Sequence, residues 1–291
     1  MKRIALKIDV DTFHGAARGV PVLIDLLNSR SVSGTFFVTL GPDRSGQQSR
    51  RDSLKSHYDF ATRSYGRILP SPSIETSATK ELQAIKNAGF EIGLRAWDRV
   101  RWEQQIATMD NASVESEMRK GVDRFEHLFG MAPAAFAAPG WLTNRHALRL
   151  TQRLGFAYAS DCRGDQPFIP VIDGEIVRCL QVPTTLPTLD EVLAIDNSGT
   201  VDQAADRIFR LSAAIEGDHV FTLRAELEGM RFRDAFAQLI TRWIEAGFEL
   251  VSLGSLASLC SLDELPRCVV SLADISGRNG QRFTQGNHFL K

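Results

Sequence analysis

Apolar residues along the chain alternate between two patterns, short unbroken runs and longer stretches in which they return every third or fourth position. IALKIDVD at 4–11 reads as a strand, VPVLIDLLNS at 20–29 as a helix, GTFFVTL at 34–40 as a second strand, and KELQAIKNA at 80–88 as a helix stopped by Gly89. A refrain then appears. NAGFEIGLR (87–95), RLGFAYASD (153–161) and EAGFELVSL (245–253) each set a glycine between a helix end and an apolar strand, where a left-handed backbone terminates a helix. DHVFTLRAE (218–226) adds another strand, and helical periodicity fills 113–129, 144–154, 200–216 and 232–246. Strands alternating with amphipathic helices predict a parallel sheet, and no GxGxxG follows the first strand to mark a dinucleotide fold. The pattern predicts an α/β chain folded as a distorted or incomplete (β/α) TIM-like barrel over residues 1–265.

Two segments break the alternation. Residues 41–78 form a long excursion carrying Arg44, Arg50, Arg51, Lys55, Arg63 and Arg67, with Tyr58, Phe60, Tyr65, Ile68 and Leu69 interleaved. A basic, aromatic-containing insertion suits contact with a phosphate or a membrane surface. Residues 266–291 are polar and glycine-containing and read as a tail of the same domain, either wrapped on the barrel or loose. Composition narrows the partners. A net charge of −1 gives no global attraction to nucleic acid, so any basic site must be local. Cys162, Cys179, Cys260 and Cys268 lie far apart without a CxxC pair, which points to buried thiols in a reducing compartment. MKRIALKIDVD turns to carboxylates too soon for a signal peptide, and no run of about 18 apolar residues occurs. The expectation is a cytoplasmic protein that does not span a membrane.

Chemistry in such a barrel sits where strands end. The first strand ends in Asp9 and Asp11, whose i, i+2 spacing puts both carboxylates on one face, where they need a cation, a shared proton or a basic partner. Other strand ends offer Asp98, Pro139, Gly140 and Trp141, then Asp161 and Arg163, then Arg224 and Glu226. Trp97, Trp102 and Trp141 read either as aromatic walls able to stack on a sugar ring or equally as barrel packing.

KIDVDTF, FFVTLGPD, GLRAWD, APGW, SDCRG, LPTLDEV and RAELEG, in this order, resemble the NodB-type polysaccharide deacetylase superfamily. Among its branches they are most similar to the deformylase of 4-deoxy-4-formamido-L-arabinose-phosphoundecaprenol and related undecaprenyl-phosphate-sugar deacetylases. The resemblance implies a distorted (β/α) barrel and metal-assisted hydrolysis of a carbon–nitrogen bond on a lipid-linked amino sugar, as in lipopolysaccharide modification. It further implies Asp9 as general base and Asp11 as a ligand of zinc or a similar divalent metal. A substrate-binding set of Trp97, Asp98, Pro139, Gly140, Trp141, Asp161, Arg163 and Glu226 would complete the site, with peripheral contact at the cytoplasmic face of the inner membrane.

In one respect the sequence departs from that pattern. The two metal histidines fall on Arg95 and Arg99, and the acid histidine falls on Arg224. A guanidinium has no lone pair to ligate a metal and holds its proton near neutral pH. No cofactor is therefore expected of the sequence as written. Two carboxylates against three guanidiniums would leave one cation to spare, suited to a phosphate. Two readings follow, a hydrolase of the family and a metal-free, catalytically impaired member that binds the sugar phosphate or a partner.

Overall fold

A computed structural model of the chain describes residues 2–48, 53–196 and 199–289. Its strands are β1 (Arg3–Val10), β2 (Thr35–Val38), β3 (Glu91–Leu94), β4 (Ala135–Phe136), β5 (Tyr158–Ala159), β6 (Ile169–Ile172), β7 (Glu175–Ile176), β8 (Leu180–Gln181), β9 (His219–Arg224), β10 (Glu249–Val251), β11 (Arg267–Ala273) and β12 (Arg282–His288). The main sheet runs β10-β1-β2-β3-β4-β5-β8, with β9 also on β1 and every pairing parallel. Just beyond β8, the amides of Thr185 and Leu186 both donate to the Val220 carbonyl, so the sheet curls back toward β9 as a distorted barrel.

β1 is the hub. β9 lies along Ile4 to Asp9, while β10 takes Arg3 to Ala5 and β2 takes Lys7 to Val10 on the other edge. Every residue from Ile4 to Val10 is buried, as expected for a parallel strand covered on both faces. Ile4, Leu6, Ile8 and Val10 join the large apolar cluster shared with the helices. Ala5 belongs to a second cluster with Phe37, Ala135, Tyr158 and Leu180. The two-residue period then carries Lys7, Asp9 and Asp11 onto Ala5's side. This one strand thus sets an apolar floor, then a buried lysine, then two carboxylates at its carboxyl end.

The glycine refrain acts as read. Gly89, Gly155 and Gly247 have φ of +81°, +78° and +83°, and a side chain there would meet no neighbouring atom, so the backbone alone requires glycine. Helices at Thr79–Asn87, Asn111–Phe129, Arg145–Arg153, Val201–Ala214 and Arg233–Glu245 match the periodic stretches closely.

The two irregular segments are both built in. The tail pairs β11 parallel to β6 and antiparallel to β12, giving a second sheet β12-β11-β6-β7. The insertion folds as short turns at Ser45–Gln47, Ser53–His57 and Thr62–Ser64. His14 ties it down through Asp59 (2.7 Å) and the Tyr65 hydroxyl (3.2 Å). Lys55 turns inward, donating to the carbonyls of Gly46 and Gln48, and Arg50 and Arg51 lie outside the described residues.

Candidate functional site

Five elements bring charge to the carboxyl end of the barrel. β1 leads to Asp9 and Asp11, the residue after β3 is Arg95, and the helix Arg99–Gln105 opens with Arg99. β9 ends in Arg224 with Glu226 just beyond, and the helix Leu189–Ile195 brings Asp190 and Glu191 in its first turn. All of these side chains are buried. Arg95, 2% exposed, lies between the paired carboxylates, with Nη1 2.8 Å from Asp9 Oδ1 and Nε donating to Asp11 Oδ1 at 2.5 Å.

The spare cation expected from the sequence is not spare. Arg224 Nη1 donates to Asp190 Oδ1 at 2.7 Å. Arg99 faces Glu103 one turn along its own helix at 3.3 Å and donates to Ser45 Oγ at 3.0 Å, while its Nε stands 4.0 Å from Asp11. Sequence reasoning missed Asp190 and Glu103 because nothing local says which of many carboxylates will face a given arginine. It also missed Arg278, which the tail inserts between Asp190 (2.8 Å) and Glu191 (2.9 Å).

Burial and charge set the protonation states. Burial pushes the Asp9 carboxyl above its ordinary range despite Arg95 and Lys7. Burial acts on Asp11 in the same direction, but Arg95, Arg99 and Arg224 outweigh it and hold that carboxyl low. Glu226, buried and beside Asp11, is pushed up to about 8, and Glu228, buried and near Asp190, also to about 8. Burial brings Lys7 down to about 8; its ammonium donates to the Ser160 carbonyl at 2.6 Å. At neutral pH the centre therefore holds two neutral carboxylic acids beside a balanced set of ion pairs.

The remaining candidates divide. Glu226 reaches the centre, its Oε2 3.4 Å from the Asp11 amide, and it lines a cavity of about 290 Å³ with His14, His57, Tyr58, Asp59, Thr62, Met230 and Arg231. Asp161 is buried, accepts from the Ala138 amide and Gln181, and is raised by burial to about 6. Asp98 caps the helix Arg99–Gln105 through the Arg101 amide and pairs with Arg44 at 2.6 Å.

The aromatic walls are occupied rather than open. Trp141, 2% exposed, has the guanidiniums of Arg163 (5.0 Å) and Arg278 (5.3 Å) against its ring, and Arg163 is itself held by Glu191. Trp102 is core, its indole donating to the Leu142 carbonyl. Trp97 carries Lys120 over its ring at 4.3 Å in a separate cavity of about 230 Å³ with Arg44 and Arg101. Pro139 and Gly140 form a tight turn, Gly140 at φ +63° against Glu103.

The resemblance drawn from the sequence implies a divalent metal beside Asp11. The residues here do not fit one. A dication beside Asp11 would need neutral donors where Arg95 and Arg99 present guanidiniums, and the Arg95 cation already bridges both carboxylates. Among the described residues no three His, Cys, Asp or Glu side chains converge as a metal-binding group.

Residues 2–159 match the polysaccharide deacetylase family. A protein of Shewanella sediminis described as a 4-deoxy-4-formamido-L-arabinose-phosphoundecaprenol deformylase is 32% identical over 96% of this chain and 93% of its own. Among solved structures, a Mycobacterium smegmatis protein assigned to the polysaccharide deacetylases superposes with a TM-score of 0.67 at 18% identity, over 94% of this chain and 96% of that one. A CE4 family pseudoenzyme from Bacillus anthracis gives 0.53 at 12% identity, over 88% of this chain and 65% of that one. Both structures speak for the fold.

Proposed function

The chain belongs to the polysaccharide deacetylase family, and from that premise we propose that it is a deformylase-branch protein taking an undecaprenyl-phosphate-linked formamido sugar at the carboxyl end of its barrel. The near full-length likeness to a deformylase relative supports the substrate class. The observation that carries the placement is the group Asp9, Asp11 and Glu226, retained and buried together, with Glu226 opening onto the 290 Å³ cavity. Asp11, held ionised, can accept a hydrogen bond from the acylamido N–H, and neutral Glu226 can donate one to its carbonyl oxygen.

A second reading, binding without hydrolysis, has one observation in its favour: Arg95 fills the place between the carboxylates where a metal would have to sit. The two are separated by mixing the purified protein with the lipid-linked formamido sugar in detergent and measuring binding and released formate. Saturable binding is expected with no stoichiometric metal in the preparation and no gain in formate on adding zinc; formate released by the metal-free protein would carry the first reading, and binding without formate the second. Absence of binding would remove both readings, and full zinc occupancy lost to a chelator together with formate release would overturn the account of the centre.

Contact with a membrane surface fits the insertion. Phe60 and Ile68 are 69% and 73% exposed, with Arg63 and Arg67 nearby in sequence, and no helix among the described residues is long and apolar enough to cross a bilayer. Changing Phe60 and Ile68 to Ser, or Arg63 and Arg67 to Glu, is expected to weaken sedimentation with anionic liposomes. The charge reversal should act mainly at low salt, at about 1 kcal/mol per cation. Unchanged sedimentation in both variants would remove the lipid-facing role.

A further inference from the structure

The cavity of about 290 Å³ sets polar side chains beside Met230, with Glu226 and Arg231 both in its lining. At its closed end Glu226 is buried, with Oε2 toward the Asp11 amide and Oε1 without a partner among the described residues. His57, Tyr58 and Thr62 line the walls, and His14 with Asp59 fixes the insertion that forms one side. Arg231 stands at the open end, solvent-exposed, and among the described residues it has no ion-pair partner. A buried carboxyl atom without a partner is costly unless a ligand or water meets it. A cation with no carboxylate beside a polar cavity suits an anionic group entering at that end. The exposed Phe60 directly follows Asp59 of the cavity lining.

We propose that this cavity holds the sugar together with its phosphodiester, Glu226 meeting the sugar's polar groups at the closed end and Arg231 meeting a phosphoryl oxygen at the rim. The proposal rests on the lipid-linked sugar reading above and adds to it the order sugar, phosphate, lipid along one path from Glu226 past Arg231 to Phe60. The site thereby distinguishes a phosphate-linked sugar from a free one by a contact outside the arginine-filled centre.

The test uses two soluble compounds on the full chain, the methyl phosphodiester of the formamidopentose and its methyl glycoside, followed by calorimetry. The phosphodiester should bind about tenfold tighter or better, as expected for a charge-assisted hydrogen bond. Arg231→Gln should bring that ratio close to one while leaving the glycoside unchanged, and Glu226→Gln should weaken both compounds and keep the ratio. A ratio unaffected by Arg231→Gln, with the lipid-linked sugar still bound, would overturn this proposal and leave the substrate class standing. Equal competition by inorganic phosphate would also overturn it, by marking a free-phosphate site instead.

Discussion

Replacing Arg95, Arg99 and Arg224 together by histidine is expected to turn a protein indifferent to zinc into one whose melting temperature climbs with it and whose formate release rises. Arg95 is the only cation bonded to both Asp9 and Asp11 among the described residues. Taking it away leaves two buried carboxylates uncompensated, a loss of about 3–5 kcal/mol in the metal-free variant. A ligand at a thousand times its dissociation constant returns about 4 kcal/mol, so zinc can restore what the guanidinium supplied. Asp190 keeps Arg278 after the exchange, and Glu103 is partly exposed, so neither is stranded. Thermal melts with zinc and with chelator, beside formate release, provide the measurement. A triple variant whose melting does not respond to zinc would mean that the pocket differs from a metal site at more than these three positions.

Arg278→Met should also destabilise the protein, although Arg278 lies in the tail and far along the chain from any strand-end motif. Its guanidinium bridges two fully buried carboxylates, Asp190 and Glu191, and its removal leaves Arg224 and Arg163 as their remaining partners. Because each carboxylate keeps one arginine, the expected loss in urea unfolding is that of charge-assisted hydrogen bonds, about 1.5–3 kcal/mol. Burial would raise both carboxyls, yet the neighbouring arginines hold Asp190 and Glu191 below their ordinary range. The stability they contribute is present above the unfolded carboxylate value, near pH 4, and is lost as pH falls through the lowered folded values. The gap between wild type and variant should accordingly narrow on acidification. A gap that stays constant down to pH 3 would show that Arg278 acts by packing on Trp141 instead.

What the sequence made legible was local. Helix periods, the apolar run of β1 and the three glycine stops each depend on neighbours within a few residues, and they reappear at the expected places. The carboxylate pair was legible for the same reason, since the strand period alone sets Asp9 and Asp11 on one face. Partner choice was not. Whether Arg224 faces solvent or Asp190 depends on a helix more than thirty residues away in sequence, and the tail strand finds β6 across about a hundred. Trp102 stood open between wall and packing because the helix Arg99–Gln105 escaped notice; the i, i+3 relation places it on the buried side with Arg99. Lys7 was passed over inside an apolar run, though it sits two residues below Asp9 on the same face of β1.

The position of β1 at the hub of the sheet has a consequence in time. Its register partners on β9 and β10 begin at His219 and Glu249, so of its three neighbours only β2 is available early in synthesis. At about 5–20 residues per second, the ribosome delivers the others on the order of ten seconds or more after β1 itself. During that wait a strand carrying Lys7 and Asp9, with Asp11 just beyond, has no partner for its carboxylates until Arg95 emerges after β3. The same carboxylates that make the centre costly to bury alone also discourage the nascent strand from pairing with another copy of itself.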